Sequence, residues 1–150
     1  MQKDNLLLSP HFSFAEITAT EKHPDLQDKN RLEASAFVDK LKEVCEVLLE
    51  PVRTHFGPVQ ILSGYRCEAL NKTVGGVPDS QHAKAEAADF HVPGKSLDDV
   101  FNWIRTSEIP FGQVIREPGW IHISLGLPYR LADKCREALR FDGKTYRRVV

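Results

Sequence analysis

Three side chains in this sequence have types and positions that could do chemistry together: His82, Asp89 and His122. Asp89 interrupts the small, mostly apolar run Ala87-Ala88-Asp89-Phe90-His91-Val92. A carboxylate there needs a partner, because ionised groups are almost never fully buried alone. His82 lies seven residues earlier, at the end of a stretch with no clean period. His122 lies in the middle of Trp120-Ile121-His122-Ile123-Ser124. Period-two geometry puts Trp120, His122 and Ser124 on one face of that run and Ile121 with Ile123 on the other. Two imidazoles and one carboxylate make the open shell of a catalytic zinc site, with the fourth position left for water. The same residues also fit a plainer arrangement, an Asp–His hydrogen bond beside a lone core histidine. Spacing alone does not separate the two.

The elements that must position these side chains can be read from hydrophobic period and turn chemistry. Ser13 is expected to cap a short helix, with Glu16 as its capping-box partner. Residues 20–30 are polar, contain Pro24 and read as a loop. From Asn30 onward, Leu32, Ala36, Phe37, Leu41, Val44, Cys45, Leu48 and Leu49 recur at three- and four-residue steps, which predicts an amphipathic helix that Pro51 kinks or ends. After the break at Gly57-Pro58, Val59-Gln60-Ile61-Leu62-Ser63 reads as a short strand. Residues 64–86 form a long irregular segment with one helical turn near Cys67–Asn71, and such segments inside a domain are usually functional. A strand over 87–92, a helix over Leu97–Thr106 capped by Ser96, strands at 113–116 and 120–124, and a last helix over Leu131–Leu139 complete the reading. Helices first, then strands mixed with helices, give an α+β class.

Composition bounds the rest. The chain has 150 residues, one domain's worth, and is read as a single domain spanning 1–150. Hydrophobic residues at 41% and charged residues at 27% exclude collagen, coiled coil, disorder and membrane spans. Twenty basic against 21 acidic residues leave a formal charge of −1, so no global basic field recommends a nucleic-acid partner. Arg140, Lys144, Arg147 and Arg148 surround Tyr146 in a basic tail that reads as a solvated end. The three cysteines, Cys45, Cys67 and Cys135, are widely spaced with no CxxC, which argues against disulfides and a cysteine zinc site. Cys45 and Cys135 read as small core residues in helices. Residues 1–5 followed by three leucines fall far short of a signal peptide, so the chain is expected to be made in a cytoplasm with no export address.

Ser63-Gly64-Tyr65-Arg66, Leu70-Asn71, Val74-Gly75-Gly76, Ser80-Gln81-His82 through Ala87-Ala88-Asp89, and Trp120-Ile121-His122 follow one another in order. In this they closely resemble the zinc D-alanyl-D-alanine carboxypeptidase and L-alanyl-D-glutamate endopeptidase family, in particular its short phage-type peptidoglycan peptidases. The likeness covers roughly residues 9–125, and His11–Glu16 and Leu49–Arg53 look like the family's N-terminal helices. The resemblance implies a Hedgehog/DD-peptidase-like α+β fold, with a small central antiparallel sheet and flanking N-terminal helices. It implies that His82, Asp89 and His122 bind one zinc ion, that Arg66 faces the substrate, and that Ser80 and Gln81 lie in the same cleft.

The chain departs from the family pattern at two positions. Many members carry Asp or Glu three residues before the last histidine ligand, where this chain has Gly119. The nearest acid is Glu117, in a Glu-x-x-Trp-x-His arrangement similar to that of phage-type members, and it is assigned as the catalytic base. Ala85 stands where the family usually has Gly, a strain of ~1 kcal/mol if that position needs positive φ. Glu86 is read as exposed. His91 shares the phase of Asp89, which suits either a supporting partner or a plain rim residue.

The activity implied is zinc-dependent hydrolysis of a peptide bond in peptidoglycan stem peptides, by a monomer that uses neither nucleic acid nor membrane as a partner. With no signal peptide, it would reach the cell wall as a phage lysis enzyme (an endolysin) after release, or as a virion component. The competing reading is a non-catalytic, metal-stabilised binding or virion structural module of the same fold.

Overall fold

The computed structural model describes residues 6–150; the N-terminal reading of residues 1–5 lies outside the described residues. A short hairpin, β1 (Leu7–Ser9) and β2 (Phe12–Ser13), leads into α1 (Phe14–Thr18). Ser13 caps α1 through the expected capping box with Glu16. The helical region then begins earlier than its apolar period suggests. A 3-10 turn at Pro24–Leu26 runs directly into α2 (Gln27–Ala34), and Leu32 is 75% exposed rather than inward. After a 3-10 turn at Ser35–Phe37 come α3 (Val38–Glu43), π-helical turns at Val44–Leu49, and α4 (Glu50–Phe56). Pro51 does not stop the chain here. It sits in the first turn of α4, directly after the π-helical turns, which shift the hydrogen-bond ladder just where a proline lacks its N–H. Leu41, Val44, Cys45, Leu48, Leu49 and Val52 form its fully buried stripe.

The remaining elements are β3 (Gln60–Ser63), α5 (Glu68–Thr73), β4 (Ala87–His91), α6 (Leu97–Thr106), β5 (Phe111–Arg116), β6 (Ile121–Leu125), β7 (Glu137–Phe141) and β8 (Tyr146–Arg148). Helices and one six-stranded sheet in the order β3-β4-β6-β5-β7-β8 make the chain a mixed α+β fold. Pairings are antiparallel except β5 with β7, which is parallel. One face of the sheet is apolar, with Ala88, Phe90, Ile121, Ile123 and Val114 buried in the same core cluster as the helical residues. The opposite face carries Asp89 and His122 in directly paired positions.

The expected helix over Leu131–Leu139 is not formed. Ala132–Lys134 makes one 3-10 turn and β7 follows. The cause is tertiary: Arg136 adopts φ +61°, which breaks a helix, and its guanidinium donates to the carbonyls of Arg105, Ser107 and Ile109. The next residues gain backbone partners along β5 instead. Cys135 is accordingly half-buried and not helical, whereas Cys45 is buried as expected. No helix among the described residues is long and apolar enough to cross a membrane.

Residues 64–86 leave the sheet and return to it, and their ends are pinned. Tyr65 N–H donates to Ile17 C=O at 2.9 Å, and a Cβ on Gly64 would sit 2.2 Å from that same oxygen, so glycine is required at the crossing. The fully buried Asn30 donates to Thr18 and Tyr65 carbonyls and accepts from Cys67 N–H at 2.7 Å, which ties α1, α2 and the segment together. Glu86 is not exposed as expected: its side chain is 13% accessible and pairs with Lys40 at 2.8 Å, while Lys40 also donates to Lys84 C=O. Ala85, fully buried, has φ +61°. That is the left-handed region, where a Cβ crowds the backbone at a cost of roughly 1–2 kcal/mol. Ala85→Gly should therefore raise unfolding stability by about 1 kcal/mol, read as a higher denaturant midpoint with an unchanged slope.

Candidate metal centre

The site begins with a register. Antiparallel pairing of β4 and β6 sets Asp89 opposite His122, on the face away from the helical core. Directly paired residues hold their Cβ atoms about 4.5–5.5 Å apart, so a short acid and an imidazole meet without reaching. Asp89 Oδ1 lies 2.9 Å from His122 Nδ1. His82 is brought in from outside the sheet by the 64–86 segment, with its Nε2 3.2 Å from the same oxygen. Ligand atoms of all three side chains lie within 4.8 Å of one another. The expected trio is thus assembled.

Each imidazole is held by its other nitrogen. His82 Nδ1–H donates to Gly64 C=O at 2.8 Å, and Arg66 N–H donates back to His82 C=O at 3.2 Å. His122 Nε2–H donates to Gln81 Oε1 at 2.7 Å. In the neutral tautomers these bonds select, His82 Nε2 and His122 Nδ1 present lone pairs toward an ionised carboxylate oxygen. Such an arrangement is repulsive unless a cation stands between the groups, so the donor set suits a divalent metal. Burial alone would raise the Asp89 carboxyl. Were both rings protonated, the charge on His82 and hydrogen bonds from both imidazoles would outweigh burial and hold it well below the usual carboxylate range; with both rings neutral, a bound cation supplies that positive charge instead.

The other expected site residues surround this centre in different ways. Arg66, half-buried, donates through Nη2 to Ser80 Oγ at 3.3 Å, while its buried Nε has no hydrogen-bond partner among the described residues. Burial lowers its pKa and the Asp89 charge opposes that shift. Ser80 Oγ also accepts from His82 N–H at 3.2 Å, so this hydroxyl couples the Arg66 side chain to the histidine loop. Gln81, expected beside substrate, contacts His122 directly. Glu117 is 8% exposed and sits where β5 turns toward β6, its N–H donating to Trp120 C=O at 2.9 Å. Burial and the Asp89 charge raise its pKa, and His122 partly offsets them. Apart from its two chain neighbours, Gly119 has no heavy atom within 4 Å of where a Cβ would stand. His91, paired with Gln60 across β3 and β4, bonds Gln60 Oε1 through Nε2 at 2.7 Å.

Sequence reasoning missed the supports: the Gly64 carbonyl, the Asn30 hub and the clasp of Lys40 on the loop's far end. A carbonyl has no residue signature, and Asn30 was absorbed into a polar stretch. Partners on the far nitrogen of a ligating histidine set its orientation and basicity, and their loss typically weakens metal affinity ~10–100-fold. Gln81→Ala should weaken metal binding by about that factor in a competitive chelator titration, and Gln81→Glu should retain or exceed parental affinity. A raised KM with unchanged metal affinity would instead return Gln81 to a substrate role.

A family model described as Peptidase M15 matches residues 10–124, a span that holds all of these side chains. No curated protein matches the chain.

Proposed function

The chain belongs to the peptidase M15 family, which implies a metallopeptidase, and we propose that it hydrolyses a peptide bond in bacterial peptidoglycan stem peptides, using one zinc ion held by His82, Asp89 and His122. The observation that carries this reading is the convergence of two pinned imidazoles on one carboxylate oxygen, at 3.2 and 2.9 Å. Zinc bound there would supply Lewis acidity, polarising the scissile carbonyl and acidifying a water.

The protein's own groups supply the rest. Glu117 is the base: a carboxylate whose pKa is lifted by burial is better matched to accepting a proton near neutral pH and returning it to the leaving amine. Arg66 is the anchor. Its planar fork suits a substrate carboxylate or carbonyl, and Ser80 holds it in line with the histidine loop. The chain would act on the cell wall as a monomer, after release from a phage-infected cell or as part of a virion. Gly119 favours a second reading, a metal-stabilised module without turnover. Mass spectrometry of digested sacculi, with metal content measured on the same sample, separates them: zinc bound with no bond cut supports the module.

Glu117→Gln should keep zinc and lose most turnover, and parental digestion by that variant sinks the base assignment. Stability offers an independent check. A carboxyl whose pKa is raised by folding is destabilised as pH climbs above its unfolded value, and costs nothing below that value. Metal-free Glu117→Gln should therefore resist denaturant better than the parent at pH 7, with the gap closing below about pH 4.

A further inference from the structure

The hairpin of β7 and β8 lies beyond the residues matched by the family model, yet its register continues the face that carries the metal centre. Asp89 pairs with His122, His122 with Ile115, Ile115 with Leu139, and Leu139 with Arg148. Residues two positions along each strand share that face. On β7 and β8 these are Phe141 and Tyr146, and the same step leads to Trp120 just before β6 and Glu117 just after β5. Arg116 pairs with Arg140, and Glu117 and Phe141 are the residues that follow this last pair of the β5–β7 ladder. Phe141 pairs with Tyr146, and their rings stack with centroids 4.3 Å apart at 27°. Tyr146 is 56% exposed, although large aromatic rings are costly to leave in water.

We propose that Tyr146 is a substrate-positioning residue for the peptide hydrolysed at this centre. Its ring, backed by Phe141, walls the cleft beside Glu117, and its hydroxyl donates a hydrogen bond to a carbonyl or carboxylate oxygen of the bound chain. This rests on the hydrolytic reading above. Arg66 follows β3 at one edge of the sheet and Tyr146 belongs to β8 at the other, so an extended peptide crossing the centre meets a donor on each side. The phenol is suited to this work. Burial, Glu117 and Asp89 all raise its pKa, so it remains a neutral donor beside two carboxylates.

The test uses the synthetic pentapeptide L-Ala-γ-D-Glu-L-Lys-D-Ala-D-Ala and zinc-loaded full-length protein. Tyr146→Phe keeps the stack and should raise KM about 3–10-fold with kcat and zinc content unchanged. Tyr146→Ala should lose a further ~3–10-fold with the ring. Parental KM in Tyr146→Ala, or a loss that tracks zinc content, overturns the proposal. Calorimetric titration of the pentapeptide onto zinc-loaded Glu117→Gln protein, with and without Tyr146→Ala, reads binding without turnover. Equal Kd overturns the role of Tyr146. Binding that depends on Tyr146, by a parental chain that never cuts the peptide, overturns the hydrolytic reading and leaves Tyr146 in place. No measurable binding overturns both.

Discussion

One oxygen atom organises this protein. Asp89 Oδ1 is approached by His82 Nε2 at 3.2 Å and His122 Nδ1 at 2.9 Å, and most of the surrounding structure keeps those three atoms together. Half of the constraint is the antiparallel register of β4 with β6, which sets Asp89 opposite His122. A one-residue slip of either strand would turn its member of the pair into the apolar core and bring Phe90 or Ile121 out. The hydrophobic pattern therefore protects the polar site. Ala88, Phe90, Ile121 and Ile123 are all fully buried, and their burial is what holds the alternate positions on the open face.

The other half of the constraint is harder to satisfy, because His82 belongs to no strand. Its ring is oriented by the Gly64 carbonyl, its backbone by Arg66 and Ser80, and the end of its loop by Lys40. These supports reach back to Asn30 and Ile17, so the N-terminal helices, which supply no ligand, set the position of the third one. Ala85 shows that the loop tolerates some local strain to arrive there, with a Cβ in the left-handed region at a fully buried position.

Electrostatics divides the carboxyl groups of the site by environment. Asp89, clasped by two imidazoles, is held ionised, whereas Glu117, buried nearby with Asp89 as a like-charged neighbour, is pushed toward its protonated form. Groups of one chemical type are thus set apart, one held ionised and one pushed toward its protonated form, which is the separation that the base role proposed for Glu117 calls for. Tyr146 feels the same two negative charges from the far hairpin.

Much of this was legible in the residues. The capping box at Ser13, the strands around Asp89 and His122 and the helix capped by Ser96 all follow from local period and turn chemistry, and the structure has them. The trio itself could be nominated because a carboxylate and an imidazole each interrupt an apolar strand. Where the reading failed, a distant partner had overridden local preference. Residues 131–139 carry a pattern compatible with a helix, but β5 offers an unpaired edge and the Arg136 guanidinium finds three carbonyls, so the chain extends as β7 over Glu137–Phe141. Glu86 reads as solvated until Lys40, far away in sequence, covers it. Sequence alone determined the types of groups present and the faces on which strands could present them, because both depend on neighbours one or two residues away. Only the tertiary structure decided which nitrogen of each histidine faces the acid, what Gln81 and Ser80 hold, and that the C-terminal hairpin extends the same face. Those outcomes depend on hydrogen bonds and strand pairings between residues that the chain does not bring together until it folds.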